Sequence, residues 1–318
     1  MTVTLCDIVI PIAKYHNDIL HPCIRYSPNG VLGHHWWLIV SPWYNRDDKI
    51  ENPILFYGIE DNDNEPPTKW EFFQVVQDSH ESGYNSDPSI GIYKNEMFAL
   101  WREVMTPVLQ CSNLYSGVFI KKISKDPIIK GFPTLILSEK RCDHLSDLSP
   151  EIILNDDFCD IYTIYHKRSR SLFKRIYSKL LRAIGIRHYA SRTLGIYHRR
   201  ILADLSVVEV GCYPIRMSAC HLPWHFDILD WKQRKIILLY CEFEPNLYIG
   251  EIIDGKVVVE SKPLSRNLDI NNTYKPTGVI INNILWLYYT DKRCVTDPYL
   301  NQLYRTSFNL NQIFVSNQ

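Results

Sequence analysis

Asp87-Pro88-Ser89-Ile90-Gly91-Ile92, followed after the tight turn Lys94-Asn95-Glu96 by Met97-Phe98-Ala99-Leu100-Trp101, is one of five versions of a single phrase in this chain. The first is His21-Pro22-Cys23-Ile24-Arg25-Tyr26, running on to Trp36-Trp37-Leu38-Ile39-Val40. The third is Ser149-Pro150-Glu151-Ile152-Ile153-Leu154, then Asp160-Ile161-Tyr162-Thr163-Ile164-Tyr165. The fourth is His225-Phe226-Asp227-Ile228-Leu229, then Lys235-Ile236-Ile237-Leu238-Leu239-Tyr240, and the fifth is Lys275-Pro276-Thr277-Gly278-Val279-Ile280, then Leu285-Trp286-Leu287-Tyr288-Tyr289. Starts recur every roughly 50 to 75 residues, the sign of a propeller or array. Each copy supplies two strands, and a four-stranded blade fills the spacing. The expectation is an all-β fold: one five-bladed β-propeller over residues 1–318, with a helical insertion at about 167–200.

Composition agrees. Of 318 residues, 46% are hydrophobic and 13% aromatic, enough for a large core rich in strand-favouring side chains. Formal net charge is zero, which argues against a nucleic-acid partner held by bulk electrostatics. No apolar run of membrane-spanning length occurs, and the first residues lack the basic-then-apolar pattern of a secretory signal. Nine cysteines without a metal-type spacing read as reduced thiols of a cytoplasmic protein.

The innermost strand of a propeller blade faces the central axis. A Pro near its start costs little, because the ladder has not yet begun. The residue before that Pro is expected to be extended and to point into the funnel. His21, Asp87, Ser149, His225 and Lys275 then ring one axis. Two positions on, Cys23, Ser89, Glu151, Asp227 and Thr277 form a second ring, since strand side chains alternate. Three blades thus each contribute a carboxylate. The plainer reading is that Asp87 caps a turn and that Glu151 and Asp227 pair with Arg or Lys.

The phrases Asn85-Ser86-Asp87-Pro88-Ser89-Ile90, Leu148-Ser149-Pro150-Glu151-Ile152 and Pro223-Trp224-His225-Phe226-Asp227-Ile228 resemble those of the five-bladed propellers of glycosyl hydrolase family 43 and related clans, especially family-43-like proteins of bacterial surface-polysaccharide loci. Lys69-Trp70-Glu71 resembles an outer-strand phrase of such blades. The resemblance implies inverting hydrolysis of a glycosidic bond in a bacterial surface polysaccharide or its precursor, with Asp87, Glu151 and Asp227 as the catalytic carboxylates. It departs at the first blade, where His21-Pro22 stands in place of the family's base aspartate. A non-catalytic carbohydrate-binding or scaffold propeller of polysaccharide biosynthesis is the alternative. Phosphorolysis is a third reading, with Lys275 receiving the phosphate.

Inverting cleavage needs a protonated acid and an ionised base about 6.5–9.5 Å apart. Like charges close together separate such pKa values. His21, His225, Trp224, Arg102 and Lys275 are the expected substrate-binding residues, set against plainer roles: a blade-bridging His, a packing Trp, a salt-bridged Arg. No metal site and no cofactor are expected. His34-His35 has no evident third ligand.

Between His166 and Arg200 the chain carries eleven Lys or Arg and no Asp or Glu. Leu172, Phe173, Ile176, Tyr177, Leu180, Leu181 and Ile184 recur as one helical stripe, with Lys174, Arg175, Lys179 and Arg182 opposite. Burial of that stripe on the propeller rim is expected. The alternative is contact with an anionic membrane or acidic partner through 167–187. Either Leu5 to Ala13 or Ile313 to Ser316 is expected to pair across the termini and close the ring.

Overall fold

Each of the five phrases forms the innermost strand of a blade. A computed structural model describes residues 2–59, 65–79, 83–105, 114–124, 133–141, 144–154, 159–168, 171–183, 191–202, 206–217, 223–241, 244–260, 263–264, 274–291 and 297–314. The inner strands are Leu20–Val31, Gly83–Tyr93, His144–Leu154, Pro223–Trp231 and Thr277–Ile281. Each leads an antiparallel succession of strands outward, giving five sheets of four or five strands around one axis. The first and fourth blades add a short parallel outer strand, Asp7–Ile8 and Ile215–Arg216.

The second strands explain the long apolar runs of the sequence. In His34–Ser41, Trp36, Leu38 and Val40 face the fifth blade, while Trp37 and Ile39 face the second. In Arg234–Cys241, Ile236, Leu238 and Tyr240 pack on the fifth blade, and Ile237, Leu239 and Cys241 on the third. The remaining junction joins Leu100 and Val118 of the second blade to Ile152, Ile161 and Ile201 of the third. A strand buried on both faces reads as continuously hydrophobic rather than alternating. Each fully buried Leu, Ile or Val side chain contributes about 1.5–3 kcal/mol, so the five junctions carry the fold.

The Pro-containing phrases encode a repeated irregularity. One extra residue interrupts pairing between Leu20 and Cys23, between Ser86 and Ser89, between Leu148 and Glu151, and between Pro223 and His225. These four inner strands therefore bulge at the same level. The expectation of extended backbone before Pro fails here: His21, Asp87 and Ser149 have φ of 49°, 52° and 47°. A bulge needs a residue off the pleat, and the left-handed conformation re-aims that side chain toward the axis. Such backbone costs about 1–3 kcal/mol per residue and persists where surrounding packing enforces it.

The ring is closed from the N-terminal side. Thr4–Leu5 pairs antiparallel with Gln302–Asn309 as the outermost strand of the fifth blade, with Thr4 opposite Arg305. The C-terminal alternative is not used: Leu310–Phe314 is a short helix, so Ile313 is not in a strand, and 315–318 lie outside the described residues. Cys6, Cys23, Cys159 and Cys212 are free thiols, whereas Cys241 is disulfide-bonded, which departs from the expectation of reduced thiols throughout.

The inserted helix, Leu172–Ala183, links the second and third strands of the third blade, Cys159–Arg168 and Ser191–Ile201. Four residues of its expected stripe are exposed and Leu181 is half-buried, while Ile184 lies outside the described residues. Phe173, Ile176, Tyr177 and Leu180 are 78%, 57%, 47% and 60% exposed, which overturns the expected packing on the rim. The blade completes its ladder without the helix, because its second and third strands pair directly from Cys159↔Ile201 to Arg168↔Ser191. Among the described residues, no helix is long and apolar enough to cross a membrane.

Candidate functional site

The residues that lead the five phrases are all buried. The Asp87 carboxylate is the hub. Its Oδ1 lies 3.5 Å from His21 Nε2 and 3.4 Å from His225 Nδ1, and its Oδ2 accepts a bond from the Ser149 backbone N–H at 3.3 Å. Arg102 Nη1 stands 3.8 Å from the same carboxylate, so its partner is Asp87. Ser149 Oγ donates to the Trp224 carbonyl at 3.1 Å and meets His225 Nδ1. The Tyr274 ring packs on both imidazoles, with centroids 4.9 Å from His21 and 4.5 Å from His225. Trp224 itself is half-buried against the apolar clusters on either side of the fourth blade, the plainer of its two expected roles.

Glu51 completes this upper cluster. It sits in the connection between His34–Ser41 and Ile54–Ile59 of the first blade, and its Oε1 is 3.2 Å from His21 Nδ1. Ser41 Oγ is 2.9 Å from the same nitrogen. Burial pushes the Glu51 carboxyl up to about 7, although His21 pulls the other way. Burial would also raise Asp87, but His225, His21, Arg102 and Lys275 outweigh it and hold that carboxyl at about 2. Burial drives the His225 imidazole well below its ordinary pKa, against the pull of Asp87. A neutral ring, an ionised carboxylate and a carboxyl near its balance point thus share one small space.

The second layer is different. Asp227 is taken up completely: Arg25 Nη2 and Nη1 reach its two oxygens at 2.9 and 3.2 Å. Thr277 Oγ1 donates to it at 2.7 Å, and the Gly278 and Ile228 N–H groups at 3.1 and 2.8 Å. Glu151 lies between Arg25 Nη2 at 3.0 Å and Lys275 Nζ at 2.5 Å. Burial raises its carboxyl to about 7 in spite of both cations. Lys275 is fully buried and also donates to the Pro88 carbonyl at 3.1 Å, so two of its three hydrogens are taken by protein partners. Beyond Arg25, at the far end of the axis, lies a cavity of about 300 Å³ lined by Arg25, Asp230 and mostly aliphatic residues such as Ile92, Ile153, Leu229 and Val279.

Of the predicted site residues, the structure therefore groups His21, Asp87, His225 and Arg102 at the upper level. It places Glu151, Asp227 and Lys275 in an ionic layer below. Glu51, Arg25, Ser41 and Tyr274 were missed. Arg25 was findable, because it continues the alternation from His21 through Cys23. Glu51 lies in a connection without any motif.

The upper cluster also supplies what the sequence reading did not foresee, a three-donor set. One ligand atom each from His21, Asp87 and His225 lie within 4.8 Å of one another. The Nε2 atoms of both histidines are buried without a hydrogen-bond partner. Two imidazoles and one carboxylate suit a divalent transition metal, and a carboxylate behind the far nitrogen of one imidazole is the usual support for such a ligand. Glu51 behind His21 is that arrangement. The donor chemistry fits a metal ion.

No family model and no curated protein matches the sequence. Solved structures do match the fold. An N-acetylgalactosamine deacetylase from F. plautii, in complex with blood group B trisaccharide, superposes with a TM-score of 0.62 at 13% identity, covering 98% of this chain and 96% of that one. CoXyl43, a GH43 β-xylosidase/α-arabinofuranosidase from a compost microbial metagenome, gives 0.60 at 10% identity over 96% and 95%. A xylan β-1,4-xylosidase from Bacillus halodurans gives 0.59 at 12% identity, covering 91% of this chain and 53% of its own. The chain shares the five-bladed propeller of these carbohydrate-active enzymes.

Proposed function

We propose that the mouth of the funnel is a hydrolytic centre for a carbohydrate substrate, built on His21, Asp87 and His225 with Glu51 behind them. The observation that carries this reading is the division of the axis. Glu151 and Asp227 are paired with Arg25 and Lys275, whereas in the upper cluster neither histidine Nε2 makes a hydrogen bond and that of His21 lies 3.5 Å from the ionised Asp87.

The reaction that suits such a centre is removal of an acyl group from a sugar amide or ester. A bound divalent cation would polarise the acyl carbonyl and make water a stronger acid there. The protein's own groups do the rest. Glu51 and Ser41 hold His21 through Nδ1, so that Nε2 faces the cluster. Asp87 keeps negative charge at the hub. The His21–Glu51 pair stores one proton, because a carboxyl at about 7 gains or loses it readily at neutral pH. Water oxygen bonds to the acyl carbon as one water proton is taken up by this pair, the carbon–nitrogen or carbon–oxygen bond breaks, and the pair returns that proton to the leaving amine or alcohol. The deacetylase fold match, which spans nearly both chains, supports this reading.

A second reading has its own support. Asp87 at about 2 and Glu151 at about 7 are split as the base and acid of an inverting glycosidase must be. One experiment separates the two. Acetylated amino sugars and xylo-oligosaccharides are supplied to the purified protein, with acetate and reducing ends measured before and after chelation. The expected result is acetate release that chelation abolishes and zinc or another divalent ion restores. Chelator-resistant release of reducing ends would give the reaction to the carboxylate pair, and glycan binding with no product would make the propeller a binding module.

A further inference from the structure

We infer that the helix Leu172–Ala183 is an in-plane docking element for an anionic lipid surface, and that it turns the mouth of the funnel toward that surface. The argument begins with what the helix leaves in water. Phe173, Ile176, Tyr177 and Leu180 are all between 47% and 78% exposed. The Phe173 and Tyr177 rings stack one turn apart, 6.5 Å between centroids and nearly parallel, so the exposed face is a continuous apolar ridge. At about 100° per residue, Lys174 and Lys179 fall on opposite margins of that ridge. Lysines at both margins can lay their stems along the apolar boundary and keep their ammonium groups in the headgroup layer.

Charge then selects the occupant. The helix itself carries Lys174, Arg175, Lys179 and Arg182 and no acidic residue. A second copy of the helix would bring like charges together. An anionic bilayer accepts the ridge and the charges at once, and each basic residue near such a surface strengthens binding about fivefold.

Topology supplies the orientation. Inner strands run from the upper cluster toward the far cavity, second strands return, and the connection from second to third strand lies at the mouth. Glu51 demonstrates this in the first blade: it belongs to that connection and reaches His21. The inserted helix occupies the same connection in the third blade. A surface that holds the helix therefore faces the funnel mouth. On the proposed function, the substrate is then a glycan borne on that surface, such as a lipid-linked saccharide, rather than a free oligosaccharide.

The test uses the whole protein with vesicles of phosphatidylcholine alone or mixed equally with phosphatidylglycerol. Flotation with the anionic vesicles only is expected, weakening as salt rises. Leu180→Asp and the pair Lys174→Glu/Lys179→Glu should each reduce it by about tenfold or more without changing the melting temperature. Glu51→Gln should float as the unaltered protein does, so failure of the hydrolytic reading leaves this result standing. Equal binding to both vesicle types, or none to either, would overturn the inference. So would a lowered melting temperature for Leu180→Asp, retention on polyglutamate in place of vesicles, or a dimer that Leu180→Asp dissolves.

Discussion

Along the same inner strands, the layer at Glu151 and Asp227 lies two residues below the layer at Ser149 and His225, yet the two solve burial in opposite ways. Below, two carboxylates meet Arg25 and Lys275, and the charges cancel with nearly every oxygen engaged. Above, Asp87 is shared among His21, His225 and a more distant Arg102, burial raises the Glu51 carboxyl to about 7, and the two Nε2 atoms make no hydrogen bond. A buried ion pair that is fully satisfied adds little net stability but is costly to break. A cluster left partly unsatisfied costs stability at all times, which is the pattern of a site kept for chemistry. Carboxylates near a funnel axis are thus not equivalent: those below are paired with cations, and Asp87 is shared between two imidazoles.

The strongest way to break this comparison is to remove the lower layer's shared cation. Arg25→Met leaves Asp227 without its cation and Glu151 with Lys275 alone, and should cost about 3–5 kcal/mol, read as a large fall in melting temperature. Adding Asp227→Asn to it should recover part of the loss. If Arg25→Met is harmless, the lower layer is not a structural plug.

Glu51→Gln tests the upper layer in the opposite direction. The folded pKa of about 7 lies above the ordinary 4.5, so ionisation is disfavoured by the fold, and stability falls as pH rises between those values. A neutral Gln escapes that cost. The variant should gain up to about 3 kcal/mol above pH 7, at about 1.4 kcal/mol per unit, and nothing at pH 4. Its turnover should fall about 10²–10⁴-fold. Denaturant melts at the two pH values, beside an acetate-release assay, check both halves.

Asp87 carries the reverse sign. Its folded pKa, about 2 against 3.8, means that its contribution is complete above pH 4 and is lost as pH falls through 2. Asp87→Asn should cost about 2 kcal/mol at pH 7, with the difference from the unaltered chain shrinking in acid. Ser41→Ala is the smallest effect. Loss of one hydrogen bond to His21 should cost about 1 kcal/mol and shift the pH profile of turnover rather than abolish it.

The propeller was legible because its phrase does two physical jobs. The Pro-led start marks a bulge, and the aromatic run marks a strand buried on both faces. Asp87 and the two histidines were legible as axial residues from the same pattern. The backbone at His21, Asp87 and Ser149 was not, because the rule for residues before Pro describes ordinary strands and these positions are bulged. Glu51 was invisible for another reason. It reaches His21 through a connection whose path depends on how the first blade folds, and no local spacing encodes that. The exposed ridge at Phe173 and Leu180 defeated the usual inference from an amphipathic stripe to burial, since the third blade pairs fully without it.

The pairing of Thr4 with Arg305 has a consequence for biosynthesis. The two partners are separated by some 300 residues, and a ribosome adds about 5–20 residues per second. The closing strand therefore waits on the order of tens of seconds for the blade it completes. Until then the nascent ring is an open arc, and its last-made sheet edge can pair with another chain. Refolding yield should depend on concentration, and a permuted chain that synthesises residues 2–5 directly after the fifth blade should escape that dependence.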